Sequence, residues 1–228
     1  MHSLKAVLFD LDGTLYDARR LRRRIATRML AALLRSPAEG IAAIRAIAGY
    51  RRAHEQLRSA APTADLAVAQ LARAAELAGM PERSVRTHLD RWFEREAIAI
   101  LREIGPAATR PMLQRLRARG LLLAVVSDYP AVEKLHALGL ESCFDAVVSS
   151  RDDGIQRLKP DPAGLLAALA RIQVAPREAI YVGDRMDVDG ACARAAEVEF
   201  VLVGGYRGAA TKHITTLAGL EAILPVPS

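Results

Sequence analysis

The sequence predicts an α/β protein: a parallel sheet covered on both faces by helices, with an all-helical insertion after its first strand. Three observations carry that expectation. Short apolar runs, several rich in valine, recur at 4–9, 121–126, 146–148, 179–182 and 200–203, and compact runs of this kind read as buried strands. Helical patterns at 130–138, 162–172 and 190–196 lie between the later runs; strands alternating with helices of that length build βαβ units, whose strands are parallel. More than a hundred residues separate the first run from the second, and nearly all of them look helical.

Taken in order, the first run closes at Asp10 and is too short for the apolar core of a signal peptide. The insertion, placed at 17–97, opens with Leu21, Ile25, Met29 and Leu33 in an i, i+4 stripe, with Arg20, Arg24, Arg28 and Arg35 lying off it. Further helices are expected at 38–58, 64–79 and 82–102, separated by Pro37, Pro62 and Gly79-Met80-Pro81. Trp92 and Phe93 are expected to pack within this insertion or at its hinge. Residues 1–16 and 98–228 then form the sheet domain, and the tail from Leu224, with two prolines, is expected to fray.

Composition narrows the class. The chain has 228 residues, 51% apolar and 25% charged, which suits a globular protein and excludes disordered and collagenous ones. No 18-residue apolar run is present for a membrane span. Cys143 and Cys192 form no CxxC and the histidines lack metal spacing, so two buried thiols in a reducing, cytoplasmic setting are expected. Of 32 basic residues 28 are Arg, a bias we attribute to base composition. Residues 17–105 carry 17 Arg and 10 acids, net +7, leaving net −1 elsewhere; we read this excess as solvated helix faces in preference to a polyanion site, with no nucleic-acid or membrane partner.

In a parallel sheet the loops leaving the carboxyl ends of the strands converge on one crevice. Here those ends carry Asp10-Leu11-Asp12-Gly13-Thr14, then Ser127-Asp128, then Gly183-Asp184 with Asp187 and Asp189 close behind, while Lys159-Pro160-Asp161-Pro162 follows the third strand. Acids, hydroxyls and one lysine at one edge describe a site for a hard cation and a phosphoryl group. Asp128 and Arg185 read as rim residues, and Asp161 as the start of the next helix. Gly204-Gly205-Tyr206-Arg207-Gly208 lacks the spacing of a nucleotide cradle and reads as a plain turn. His54, beside Tyr50, Arg51 and Arg52, is a candidate substrate contact from the insertion.

In their order and spacing these four groups resemble the motifs of the haloacid dehalogenase superfamily, over the whole chain, with phosphoglycolate-phosphatase-like members nearest in type. The resemblance implies a Rossmann-like sheet in the order 5-4-1-2-3, with the insertion as a helical C1-type cap, a mobile lid above the strand ends. It implies Asp10 as the nucleophile that forms an aspartyl phosphate, Asp12 as general acid and then base, Thr14 and Ser127 as phosphoryl hydrogen-bond donors, and Lys159 as the balancing cation. It also implies Mg²⁺ held by the carboxylates of Asp10 and Asp184 and the main-chain carbonyl of Asp12. In the fourth motif Asp187 and Asp189 compete for the second acid; Asp189 is chosen, to hold a metal water or Lys159. The expected function is a Mg²⁺-dependent phosphatase of a small phosphorylated metabolite, acting as a monomer or homodimer. Phosphomutase and dehalogenase chemistry are the enzymatic alternatives, Asp12 arguing against the latter, and a basic-cap binding module is the non-enzymatic one.

Overall fold

A computed structural model of the chain describes residues 3–60, 64–105, 109–204 and 212–224. Pro62, Pro106, most of the turn expected at 204–208 and the tail beyond Leu224 lie outside the described residues. Packing divides the chain into two units, Met1–Ala18 with Gly105–Ser228, and Arg19–Ile104.

The first unit is built on a parallel six-stranded sheet. Its strands are β1 (Ala6–Phe9), β2 (Leu122–Ser127), β3 (Ala146–Ser149), β4 (Ala179–Gly183), β5 (Glu199–Val203) and β6 (His213–Ile214), in the order β3-β2-β1-β4-β5-β6. The first five follow the expected order, read from the other edge. β6 extends the sheet beside β5; with two residues, one exposed and one buried, it presents no apolar run to find in the sequence. β1 is central and all four of its residues are buried, as a strand covered on both faces requires. Leu8, Val126, Val148, Tyr181, Phe200 and Leu202 share one core cluster with Leu165 and Leu169 from the helix Ala163–Arg171. Register decides the site: Phe9 pairs with Val125 on one side and Val182 on the other, so Asp10, Ser127 and Asp184 leave the same edge.

The second unit is helical. Helices α1 (Ala18–Arg35), α2 (Pro37–Leu57), α3 (Leu66–Ala78), α4 (Glu82–Leu89) and α5 (Glu96–Ile104) succeed one another. Pro37 occupies the first turn of α2, where its missing N–H costs nothing. α2 and α3 approach closely at Gly49, where a Cβ would meet the Ala74 carbonyl oxygen at 2.7 Å. The single helix expected over 82–102 is broken: residues Asp90–Arg95 form a π-helical turn. This widened turn accompanies the burial of Trp92 with Ala43 and Ile47, and Phe93 meets Tyr50 edge-on at 5.2 Å. On the polar side of α1, Arg24 pairs with Glu103, and Arg28 with both Glu96 and Glu103, so part of the basic excess is matched within the unit. Among the described residues no helix is long and apolar enough to cross a membrane.

Candidate active site

Asp10 comes directly after the last residue of β1, and its N–H continues the ladder to the Val182 carbonyl at 2.9 Å. This ties the carboxylate to the interior of the sheet, between β2 and β4. Thr14 comes back on it through the turn, donating its hydroxyl to Asp10 Oδ2 at 3.1 Å. Gly13 makes that turn possible: its φ is +111°, and a Cβ there would collide with the Asp184 carboxylate.

Lys159 arrives from the long loop after β3 and is buried. Its Nζ donates to Asp10 Oδ1 at 2.6 Å, to Asp189 Oδ1 at 2.6 Å and to the Tyr181 hydroxyl at 3.1 Å. Asp189 lies in the π-helical turn Met186–Gly190, is buried, and accepts the Arg185 N–H on its other oxygen at 3.1 Å. Asp187 is exposed and pairs with Arg185 at 2.7 Å, so of the two competing acids only Asp189 is engaged with Lys159. Carboxylate oxygens of Asp10, Asp184 and Asp189 lie within 4.8 Å of one another, an all-oxygen set of the kind that hard cations take.

Charge is concentrated here. Burial, with the Asp189 and Asp12 charges, pushes the Asp10 pKa up to about 7 against the pull of Lys159. Burial and Asp189 push Asp184, whose residue is exposed, up to about 6. Burial would discharge Lys159, but Asp10 and Asp189 outweigh it and hold the ammonium well above its ordinary range. Two carboxyls whose ionisation is opposed in this way would be relieved by a cation, and the donor chemistry fits a divalent one.

Asp12 points elsewhere. Both its oxygens accept from Lys134 Nζ at 2.7 Å, and the Tyr16 hydroxyl donates to Oδ1. Burial alone would raise its pKa; Lys134 and Tyr16 overcome that and lower it. Ser127 ends β2, buried, with its Oγ accepting the Tyr129 N–H at 3.2 Å. The structure thus joins Asp10, Thr14, Lys159 and Asp189 directly, sets Asp184 beside them, and gives Asp12 and Ser127 their own partners.

One reading of the sequence changes, and neighbouring residues add to the others. Asp128 is no rim residue: it is buried and accepts both the Ser150 hydroxyl at 3.1 Å and the Lys159 N–H at 3.0 Å, tying the β2 turn to the lysine loop. His54, the candidate contact from the insertion, is buried, with Nε2 3.1 Å from Arg58 and Nδ1 3.5 Å from Gln70. Lys134 and Tyr181 join the site without any motif to announce them. Tyr181 hides inside an apolar strand run. Lys134 had a signal, because in a chain with 28 Arg only four basic residues are Lys, and two of those four hold the site's aspartates.

A parallel sheet bearing this edge defines a class, and residues 4–197 match the haloacid dehalogenase-like hydrolase family; the chain belongs to it. Among curated proteins it is 30% identical over 189 residues to the glyceraldehyde 3-phosphate phosphatase of Methanopyrus kandleri, covering 82% of this chain and 78% of the relative. It is 34% identical over 209 residues to a plasmid-borne phosphoglycolate phosphatase of Cupriavidus necator, covering 89% and 82%. Among solved structures, a phosphatase of the same family from Thermococcus onnurineus superposes with a TM-score of 0.65 at 25% identity, covering 98% of this chain and 99% of that one.

Proposed function

We propose that the protein is a Mg²⁺-dependent phosphatase of a small phosphomonoester, working through an aspartyl phosphate on Asp10. The observation that carries this reading is the setting of Asp10: a carboxylate at the end of the central strand, 2.6 Å from the Lys159 ammonium, 3.1 Å from the Thr14 hydroxyl and clustered with Asp184 and Asp189. The relatives' names support a two- or three-carbon phosphate as substrate.

Asp10 attacks phosphorus; the new Asp10 oxygen–phosphorus bond forms as the ester oxygen–phosphorus bond breaks, and the departing oxygen takes a proton from Asp12. Water then attacks the aspartyl phosphate and gives a proton back to Asp12, restoring the Asp10 carboxylate and freeing phosphate. Thr14, Ser127 and Lys159 hydrogen-bond or balance the phosphoryl oxygens, and Asp189 keeps Lys159 in place. The carboxylates of Asp10 and Asp184 with the Asp12 main-chain carbonyl would hold Mg²⁺, Asp189 standing behind them. The bound ion would neutralise the negative charge that otherwise separates nucleophile from substrate. Residues 17–97 act as the cap that selects the leaving group, so exchanging the helical unit with that of a relative should carry selectivity with it. Two buried free thiols suit a cytoplasmic enzyme.

The test is phosphate release from phosphoglycolate, glyceraldehyde 3-phosphate and other small phosphomonoesters with Mg²⁺. Asp10→Asn should abolish it, and mass spectrometry of acid-quenched protein should place the phosphoryl group on Asp10. Full activity after exhaustive chelation, or label on another residue, would overturn the reading.

A further inference from the structure

We propose that Lys134 is the positioning residue for Asp12, holding its carboxylate oriented for the water that cleaves the phosphoenzyme; this rests on the reading of Asp10 and Asp12 given above. The ion pair is bidentate, with one ammonium reaching both carboxylate oxygens at 2.7 Å. An ammonium shared by both oxygens fixes where the carboxylate lies, and the Tyr16 hydroxyl on Oδ1 sets its rotation about that point, so the two contacts orient it only together. The Lys134 side chain is 12% exposed and that of Asp12 29%, so the pair is partly withdrawn from solvent and less screened than a surface pair.

The support is rigid on both sides. Helix Val132–Leu138, which carries Lys134, is anchored by buried Leu135 and Leu138, and the Tyr129 ring just before it lies 5.4 Å from the ammonium, within the range where a ring face attracts a cation. On the other side Tyr16 donates to Oδ1 of Asp12. Lys134 grips the ionised carboxylate, the form Asp12 takes once its proton has gone to the departing alcohol. A water molecule attacking Asp10-bound phosphorus must then find an oxygen already aimed at it. Without the lysine, one hydrogen bond from Tyr16 leaves the carboxylate free to rotate, and a misaimed base is a poor one. Lys134 itself exchanges no proton and touches no reacting atom in this scheme.

The experiment uses 4-nitrophenyl phosphate with Mg²⁺, because nitrophenolate departs without needing a proton. Lys134→Met keeps the alkyl stem and should still be phosphorylated, so rapid mixing should give a burst approaching one nitrophenolate per chain. Steady turnover should then fall roughly 10- to 100-fold and KM should fall with it, leaving kcat/KM within about threefold of the parent, because phosphorylation is untouched. Acid-quenched protein should carry the phosphoryl group on Asp10, Lys134→Gln should behave alike, and Lys134→Arg, which can also reach two oxygens, should recover most of the turnover. Asp12→Asn is the control and should trap the same phosphoenzyme. If the control carries no phosphoryl on Asp10, the underlying mechanism fails and this inference with it. If the control is labelled but Lys134→Met turns over like the parent, loses turnover with no burst, or raises only KM, the inference alone is overturned.

Discussion

Without a divalent cation the folded protein should lose stability as pH rises from 5 to 7, and the site determines both sign and size. The Asp10 pKa stands at about 7 in the fold against an ordinary 3.8, so the folded chain holds about one proton more than the unfolded one at pH 5 and about half a proton more at pH 7. A group raised by folding contributes stability that is lost as pH climbs through its folded pKa, at about 1.4 kcal/mol per pH unit. Because Asp10 is half ionised at its own pKa, the loss over the two units from 5 to 7 is about 2 kcal/mol. Asp184, raised to about 6, acts in the same direction, but it is exposed and adds less. Lys159, raised above 10.5, loses its contribution only at higher pH, and Asp12, lowered below 3.8, loses its own only in acid; neither matters here. For a chain of this length the fall in Tm is about 4–8 °C. The assay is thermal and urea unfolding in chelator at pH 5, 6 and 7, repeated with Mg²⁺. The ion competes with protons for the same oxygens, so it should stabilise more at pH 7 than at pH 5. A Tm in chelator that is flat or rising between pH 5 and 7 would mean that Lys159 outweighs burial and that Asp10 is ionised throughout, refuting the reasoning.

Contacts around the same edge set two further outcomes. Gly183→Ala would set a Cβ 2.6 Å from both Cβ and Cγ of Asp189; the crowding should cost roughly 1–3 kcal/mol of stability and, by moving Asp189 off Lys159, lower kcat roughly ten- to a hundredfold, and kinetics indistinguishable from the parent would show that the pairing is dispensable. Cys192 is fully buried, with burial pushing its thiol up to about 12, and burial raises Cys143 too, so a thiol reagent at pH 8 should find neither until the chain is unfolded in urea, whereas fast modification of the native protein would contradict this packing.

The sheet was legible because burial leaves a coarse mark. A strand such as β1, covered on both faces, has to be apolar at every position, and runs of that kind survive any reading that looks for them. The acids were legible for a related reason: Asp10 and Asp184 follow directly on such runs, and nothing in packing calls for a carboxylate there. Less could be read where two physical demands meet on one residue. Tyr181 packs as core and also offers a hydroxyl to Lys159 and Asp189, and a pattern of apolar letters records only the first. The π-helical turn at Asp90–Arg95 was invisible because its residues have ordinary helical propensity; it accompanies the burial of Trp92 against α2, a contact far away in sequence.

Lys134 belongs to a different category of omission. Asp12 and Lys134 lie 122 positions apart, and no local rule links a residue in the first strand's turn to one on the helix after β2. Parallel register makes the link: Phe9 and Val125 are neighbours, so the turn leaving β1 and the helix leaving β2 emerge side by side at one edge. The motif residues are recognised by type because each must do one kind of chemistry, whereas a residue that only orients another can be any donor placed correctly. That is why the surroundings of Asp10 could be named from the sequence while the partner of Asp12 could not. It also explains why composition offered the better clue. In a chain that uses Arg for seven of every eight cations, lysine at two places beside aspartates stands out. At Lys159, enclosed by Asp10, Asp189 and Tyr181, the planar, wider guanidinium needs more room than the cluster leaves; at Lys134 the Asp12 carboxylate is more open, which is why arginine is expected to replace lysine there and not at Lys159.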